Sequence, residues 1–229
     1  MALTDDAISK IRALIQSGSL LPGSRLPSEP QLASDLGMSR SSLREAVKAL
    51  ETAHVLEVRR GDGTFVTNLA PNVLLQGLGF AIDLLQDSVL FEVMEVRRML
   101  EPTATGTAAA RINLQGLAAL RRILDQMLED VDDSEALAVH DVNFHRTVIE
   151  ANGNETLSSV VEGISGHAVR PRVWRGILDR EAITQTQREH EAIYEALLSG
   201  DPSLASAAAL LHINGSENRL RGVLHPPEA

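Results

Sequence analysis

The chain has 229 residues, of which 44% are hydrophobic and 23% are charged, and its net charge is −10. This composition is typical of a globular protein with an extensive core, and it excludes a disordered or collagen-like chain. The absence of cysteine excludes a disulfide framework, a cysteine-ligated zinc finger and a thiol nucleophile. The first residues lack a basic stretch followed by an apolar one, and the longest apolar run, residues 73–85, is too short and too polar to span a bilayer. We therefore expect no secretory signal, no membrane association and a cytoplasmic location.

The first third of the chain predicts three helices. Apolar residues recur at helical spacing over residues 3–15. The sequence Ser28-Glu-Pro-Gln31 has the capping-box pattern, in which Gln31 reaches back to the start of a short second helix. Gly37 suits the end of that helix, and Ser39 can cap a third helix over about residues 40–52.

A β-hairpin is predicted directly after the third helix. Residues 55–58 and 64–66 have strand-like composition, and Arg59-Arg-Gly-Asp-Gly63 between them supplies the positive φ angles that a tight turn needs. This order of elements predicts a winged helix-turn-helix. The alternative is a small α+β packing module without a ligand, which the short turn, the Ser39 cap and the position of the hairpin disfavour.

The rest of the chain predicts helices only. Pro71 interrupts any helix within residues 68–72, which predicts a linker. Apolar residues then recur at helical spacing between short polar breaks, which predicts an antiparallel all-α bundle of six to seven helices. Pro102 predicts a kink or a break in one helix. The fold class is thus mainly α, and the expected domains are residues 1–67 (winged helix), 68–72 (linker), 73–224 (bundle) and 225–229 (a frayed tail).

Charge is distributed unevenly between these two parts. Residues 1–70 contain eight basic and eight acidic side chains, whereas residues 71–229 contain thirteen basic and twenty-three acidic ones. Repulsion keeps the second part away from phosphate, so only the first part is suited to nucleic acid. Aromatic residues make up 3% of the chain, which is too few for a base-stacking surface.

Basic side chains on the third helix and the hairpin form a candidate surface for duplex DNA. Arg40, Arg44 and Lys48 are four residues apart and therefore form one stripe. Small hydroxyl residues at the start of this helix favour phosphate contacts, and arginines at the hairpin tip can reach an adjacent groove. The alternative is a solvated basic face. Besides the stripe, the candidate contacts are Ser41, Ser42, Arg59 and Arg60.

A resemblance to the DNA-binding domain of GntR-family bacterial transcription regulators is carried by Leu32-Ala-Ser-Asp-Leu-Gly-Met-Ser-Arg-Ser-Ser-Leu-Arg-Glu-Ala-Val-Lys-Ala-Leu50, followed by Val58-Arg-Arg-Gly-Asp-Gly-Thr-Phe-Val66. It covers about residues 5–67. The resemblance implies operator contacts from Ser39, Arg40, Ser41, Ser42 and Arg44, with Arg60 and Gly61 at the wing tip. Two departures stand out. Pro30 replaces a residue that is often basic in the family, which predicts the loss of one phosphate contact, and His54 replaces a usual glycine, which predicts a different turn before the wing.

Polar residues also lie on predicted apolar faces of the bundle. Asp141 and His145 share one helical face, and His190 and His212 lie on the inner faces of two later helices. A buried carboxylate is costly unless it is paired or coordinates an ion. Spacing alone leaves two alternatives open, a metal site inside a bundle or hydrogen-bonded core histidines. His140 and His167 are expected at the surface or outside any ligand set.

A second resemblance, to the FCD effector domain of FadR-type GntR regulators, covers about residues 72–220. It is carried by Arg97-Arg-Met-Leu-Glu101, Asp141-Val-Asn-Phe-His145, Asn152-Gly-Asn154, His190, and Gly200-Asp201 followed by His212. The resemblance implies a divalent metal, with zinc or nickel best suited, held by Asp141, His145, His190 and His212. It also implies a small carboxylate effector that completes the coordination. Arg97 and Arg146 are candidate partners of that effector, although an Arg97–Glu101 ion pair is the alternative.

The sequence therefore predicts a transcription regulator rather than an enzyme. A repressor is expected, and an activator stays open because that choice depends on where the operator lies. We expect a homodimer on a palindromic, double-stranded operator, controlled by a small carboxylate bound at the metal. The alternatives are a helical metal-dependent hydrolase, a metal-sensing regulator without an organic effector, and a scaffold protein. A hydrolase is disfavoured because His190-Glu-Ala-Ile-Tyr194 ends in tyrosine where the zinc-protease motif has a second histidine.

Overall fold

The computed structural model describes residues 3–84, 87–165, 174 and 180–224. The chain divides into two compact units, Met1–Gly77 and Leu78–Ala229. The expected mainly α fold is confirmed, with a small antiparallel sheet in the first unit and helices in the second. His167 and the tail 225–229 lie outside the described residues. Among the helices that the structure describes, none is both long and apolar enough to cross a membrane.

The first unit is a winged helix-turn-helix. Its elements are α1 (Leu3–Gln16), α2 (Glu29–Asp35), α3 (Arg40–Thr52), β1 (Leu56–Arg59), β2 (Gly63–Val66) and α4 (Pro71–Leu74). The two strands pair in register from Leu56 opposite Val66 to Arg59 opposite Gly63, and an isolated bridge joins Arg25 to Phe65. The apolar stripe of α3 packs against α1 and β1, so that α3 keeps its polar side exposed.

The caps of α2 and α3 differ from each other. Ser39 accepts a hydrogen bond from the backbone N–H of Ser42 and begins α3 where the sequence predicts it. The capping box predicted at Ser28 is wrong, because the Ser28 side chain makes no cap hydrogen bond and Gln31 bonds Asp35 at 2.7 Å. Pro30 explains part of this difference, since its nitrogen has no hydrogen to donate to the cap oxygen.

The turn before the wing keeps a left-handed residue. His54 has a φ of 56°, a conformation that glycine adopts with less strain than any other residue. Its carbonyl accepts a hydrogen bond from the Thr67 hydroxyl at 2.9 Å, which holds the turn against the end of β2. The backbone therefore accommodates histidine at this position without leaving the left-handed region.

The second unit is a bundle in which seven helices are described. They are α5 (Gln76–Asp83), α6 (Asp87–Ala109), α7 (Leu114–Glu129), α8 (Ser134–Glu150), α9 (Glu155–Ser165), α10 (Arg180–Ser199) and α11 (Pro202–Leu224). One apolar core runs through it, and its fully buried members include Leu90, Met94, Leu120, Met127, Leu137, Phe144, Ile193 and Leu197. Polar groups that enter this core lie in a low-dielectric setting and need partners.

Helix α6 continues through Pro102, so the break that was one of the two predicted outcomes is wrong, and the predicted kink stays a prediction. Proline removes one backbone hydrogen bond, but packing of the helix inside the bundle outweighs that local loss. The long axes of α6 and α11 come close at Gly106, where an added Cβ would lie 2.8 Å from the carbonyl oxygen of Pro202. This packing fixes α11, which carries His212.

Candidate nucleic-acid interface and metal centre

The outer face of α3 presents the predicted basic stripe to solvent. Arg40, Arg44 and Lys48 are all exposed. The Ser39 hydroxyl lies 2.9 Å from the hydroxyls of both Ser41 and Ser42, so these three side chains form a local network at the helix start. Backbone N–H groups at a helix start attract phosphate, and the hydroxyls can add to that contact.

Two cations of the stripe have acidic neighbours. Arg44 Nε lies 2.9 Å from Glu29 Oε2, with side chains 63% and 43% exposed. Lys48 Nζ lies 3.2 Å from Glu45 Oε1. Ion pairs this exposed are worth about 0–1 kcal/mol, so phosphate can replace the carboxylate at little cost. Arg40 has no ion-pair partner among the residues that the structure describes.

The hairpin tip holds its two arginines differently. Arg59 lies 2.9 Å from Glu57 and 4.3 Å above the Phe65 ring. The hydrogen bond and the charge of Glu57 raise the pKa of Arg59, so the guanidinium stays charged. Arg60 and Gly61 are exposed, and Gly61 has a φ of 80°.

A further arginine at the wing is not indicated by the sequence. Arg25 pairs through its backbone with β2, and its guanidinium lies 3.9 Å from Asp62. Gly63 makes room for it, since a Cβ there would lie 2.7 Å from Arg25 Nε. Arg25 follows a Pro-Gly-Ser loop that carries no helical or strand periodicity, so only the folded chain reveals its position.

Four residues from three helices converge in the bundle. Asp141 and His145 come from α8, His190 from α10 and His212 from α11, and all four are buried. One ligand atom from each lies within 4.8 Å of the others. The i, i+4 spacing on α8 places two donors side by side, and packing of the three helices supplies the other two.

The distances inside this cluster are short. His190 Nε2 lies 3.1 Å from Asp141 Oδ1 and 3.2 Å from His145 Nε2, and Asp141 Oδ1 lies 3.7 Å from His145 Nε2. The ring of His212 is centred 4.9 Å from that of His145 and 4.6 Å from that of His190. The set of three imidazoles and one carboxylate is a common ligand set for Zn²⁺ and related divalent ions.

One tautomer of His190 has a ring nitrogen available for an ion in the cluster. Its Nδ1 is buried and has no hydrogen-bond partner among the described residues. A neutral imidazole carries one proton, so either Nδ1 keeps an unsatisfied N–H or Nε2 holds the proton and Nδ1 is an unsatisfied acceptor. With the proton on Nδ1, the Nε2 lone pair faces Asp141 and His145 and can bind a cation together with them.

Glu189 holds His212 in place, a role that the sequence does not indicate. Glu189 Oε2 lies 3.1 Å from His212 Nδ1 and accepts a hydrogen bond from Arg219 Nη2 at 2.8 Å. Burial raises the pKa of Glu189, but the hydrogen bonds from His212 and Arg219 outweigh it and lower the pKa to about 2. The ionised carboxylate therefore keeps a proton on His212 Nδ1, which directs Nε2 to metal binding.

Arg97 is almost completely buried, with 1% of its surface exposed. Its Nε donates to Glu101 Oε1 at 2.6 Å, so the ion pair weighed as an alternative is present. Ser165 donates to the same oxygen at 2.6 Å. Arg97 Nη2 has no hydrogen-bond partner among the described residues, so one buried cationic donor is left for another acceptor.

Arg146 lies at a small cavity beside the cluster. It donates to Glu162 Oε1 at 2.6 Å, and both side chains are 35% exposed. The cavity has a volume of about 20 Å³, enough for about one water, and its lining includes His145, Arg146, Glu162 and Ser165. Arg97 reaches this cavity only indirectly, through Glu101 and Ser165. His140 lies apart, 2.8 Å from Asp130.

Each of the two units matches a known protein family. Residues 3–66 match the family described as bacterial regulatory proteins, gntR family, and residues 92–215 match the FCD domain. The galactonate operon transcriptional repressor of Escherichia coli strain K12 is 31% identical over 228 residues, 96% of this chain and 97% of the relative. The transcriptional regulator LutR of Bacillus subtilis strain 168 is 29% identical, over 91% of this chain and 97% of the relative.

A solved structure is similar over most of its length. A GntR protein of Streptococcus agalactiae superposes with a TM-score of 0.68 at 26% identity, covering 94% of this chain and 99% of that one. A winged helix-turn-helix followed by a helical bundle is thus the arrangement on which sequence, fold and relatives agree. The chain belongs to the GntR family of bacterial regulatory proteins, as a DNA-binding transcription regulator of the FadR type with an FCD domain.

Proposed function

We propose that this regulator is a repressor whose operator affinity depends on a small carboxylate bound beside a divalent metal in the bundle. The buried cluster of Asp141, His145, His190 and His212 is the observation that carries the proposal. Four potential ligands in a dry core are costly without a cation and are satisfied by one. The repressor role is supported by the name of the E. coli relative.

In this proposal α3 reads the operator. Arg40, which has no ion-pair partner among the described residues, contacts a base edge in the major groove. Arg44 and Lys48 exchange their acidic neighbours for phosphates, and Ser39, Ser41 and Ser42 contact phosphate at the helix start. Arg59, Arg60 and Gly61 of the wing contact the neighbouring backbone or groove. Two copies of the chain related by a two-fold axis fit a palindromic operator.

The four cluster residues hold the metal, for which zinc and nickel are the best candidates from the ligand types. When bound, the ion supplies a Lewis acid that attracts a carboxylate oxygen. Asp141 contributes the negative charge that balances the ion, and His145, His190 and His212 contribute neutral nitrogens. Glu189 keeps the His212 ring oriented.

The effector in this proposal is a small hydroxy or sugar acid. Arg97 Nη2 is a buried cationic donor without a hydrogen-bond partner among the described residues, and Arg146 lines the cavity beside His145. A carboxylate matches both guanidinium groups. Because the cavity holds about one water, the acid must part Arg146 from Glu162 and widen it. The relative named for the galactonate operon supports an acid of this class.

A second candidate is a regulator that responds to metal alone. The small volume of this cavity favours it, since the space that the described residues leave beside His145 holds about one water. Both candidates keep the cluster as the sensor and differ only in whether an acid enters.

A gel-shift titration on the DNA upstream of the protein's own gene separates these functions. The metal-loaded protein is tested alone, after chelation, and with D-galactonate, D-gluconate or L-lactate. A discrete band that an acid shifts supports the proposal, and a band that responds to chelation but to none of the acids supports metal sensing. A band indifferent to both contradicts control through the bundle, and hydrolytic turnover without a band supports an enzyme instead.

A further inference from the structure

Helices α10 and α11 are joined by a small polar cluster that includes one of the four candidate ligands, His212. Glu189 of α10 lies against a single face of α11 formed by His212, Gly215, Ser216 and Arg219. These residues are spaced three and four apart, so they form one stripe along the helix. Glu189 thus contacts both a candidate ligand, His212, and Arg219.

We infer that Glu189 is a positioning residue that fixes His212 as an Nε2 ligand, and that Arg219 acts on the metal site only through Glu189. This inference rests on the proposed metal site. Glu189 Oε2 accepts from His212 Nδ1, which fixes both the tautomer and the rotation of the ring. Without that acceptor, either ring nitrogen can carry the proton and the ligand lone pair is present only part of the time.

Arg219 holds the carboxylate from the other side. Its Nη2 and Nη1 donate to Oε2 at 2.8 Å and Oε1 at 3.2 Å, a two-point contact that fixes the plane of the carboxylate. Nη2 also lies 3.3 Å from the Ser216 hydroxyl. Both side chains are largely buried, 14% and 13% exposed, so solvent does not compete strongly for this contact.

Gly215 leaves the space that Glu189 occupies. A Cβ at this position would lie 2.7 Å from Glu189 Oε1 and 3.1 Å from Arg219 Nη1. An alanine there has to push the carboxylate away from its place between His212 and Arg219. Gly222, later in the same helix, has nothing within 4 Å of an added Cβ and is therefore a matched control.

The first test measures Zn²⁺ affinity by competition with a chromophoric chelator. Glu189→Gln is compared with Glu191→Gln, a neighbour on the same helix whose carboxylate instead accepts from Arg121 at 2.6 Å. We expect Glu189→Gln to weaken Zn²⁺ binding about 10- to 100-fold, the usual effect of losing a carboxylate behind a histidine ligand, and Glu191→Gln to leave it within about twofold. Equal affinities of these two variants overturn the inference.

Two further readouts separate positioning from a general structural role. The visible absorption spectrum of the Co²⁺-loaded protein should change in Glu189→Gln and not in Glu191→Gln, because it reports ligand geometry. The double variant Glu189→Gln/Arg219→Gln should bind Zn²⁺ as weakly as Glu189→Gln alone, since Arg219 acts through Glu189. Additive losses contradict that route.

If Glu189→Gln does not fold without metal, the comparison of Gly215→Ala with Gly222→Ala still tests the inference. Gly215→Ala should weaken Zn²⁺ binding severalfold and Gly222→Ala should not, and equal affinities of the two overturn the inference. A wild-type chain that binds no divalent ion removes the proposed metal site and this inference together. Wild-type binding that is matched by Glu189→Gln and by Gly215→Ala removes this inference alone.

Discussion

The two units use arginine in opposite ways. Arg44 of α3 pairs with Glu29 in the solvent, where both side chains are roughly half exposed, whereas Arg97 of α6 pairs with Glu101 in the core at 1% and 3% exposure. Water screens the first pair, which can therefore open for a phosphate. The second pair is locked by the cost of exposing either charge to an apolar interior. The exposed arginine of α3 can therefore exchange its partner, whereas the buried arginine of α6 is held in place.

The largest expected effect is the loss of stability when the buried arginine is replaced rather than the exposed one. Arg97→Gln breaks the buried ion pair between Arg97 and Glu101, so the free energy of unfolding should fall by about 3–5 kcal/mol. Arg44→Gln should change it by less than about 1 kcal/mol. Urea unfolding of the two variants measures both values. Equal losses would show that burial does not distinguish the two arginines.

Metal removal should lower the thermal stability of the bundle. An ion held at one hundred times its Kd stabilises the folded state by about 2.7 kcal/mol, so chelation should lower the melting temperature by roughly 5–10 °C. His190→Ala should melt at the same temperature with and without the chelator and should lack metal by elemental analysis, while it still binds DNA. His140→Ala is the control, because His140 pairs with Asp130 away from the cluster. Full metal content in His190→Ala would contradict the ligand assignment.

The exposed surface should show its effect in DNA binding. Arg40→Ala should weaken operator binding by about 1–3 kcal/mol and reduce the preference for operator over random DNA. Arg12→Ala removes an exposed arginine of α1 in the same unit and serves as the matched control. Fluorescence anisotropy with both DNAs measures the two effects. An unchanged ratio of the two affinities in Arg40→Ala would remove this residue from base recognition.

The smallest expected effect concerns the turn before the wing. His54→Gly should raise the free energy of unfolding by up to about 1 kcal/mol, because glycine tolerates a φ of 56° without strain. Part of the gain is offset by the greater freedom of glycine in the unfolded chain. Thermal unfolding compares this variant with Ala53→Gly at the preceding residue, which should be destabilised. A loss of stability in His54→Gly would show that the imidazole itself holds the turn.

The sequence predicts the recognition helix well because the signals are local. The Ser39 cap and the apolar stripe of Leu43, Val47 and Leu50 predict α3 without help from distant residues. The same local logic fails at Ser28, where Pro30 removes a donor, and at Pro102, where packing within the bundle outweighs the preference of one residue. Local pattern is reliable only where tertiary contacts agree with it.

The metal cluster is only half visible in the sequence. The i, i+4 spacing of Asp141 and His145 on a predicted apolar face indicates that these two residues belong together. The approach of His190 and His212 to them depends on how α10 and α11 pack. Glu189 escapes notice because it is one of several acidic residues along an amphipathic helix. Its role depends on Arg219, thirty residues later, and no periodicity connects the two.

Control of DNA binding by the buried cluster is tested most directly by measuring operator affinity while the metal and the acid are varied. Fluorescence anisotropy is recorded for the wild-type chain and for His190→Ala, each with Zn²⁺, with a chelator, and with Zn²⁺ plus D-galactonate, D-gluconate or L-lactate. We expect one of these acids to weaken wild-type binding at least tenfold in the presence of Zn²⁺, a coupling of about 1.4 kcal/mol, and to leave His190→Ala unaffected. Identical operator affinities under all these conditions, in both proteins, would contradict control of DNA binding by the buried cluster.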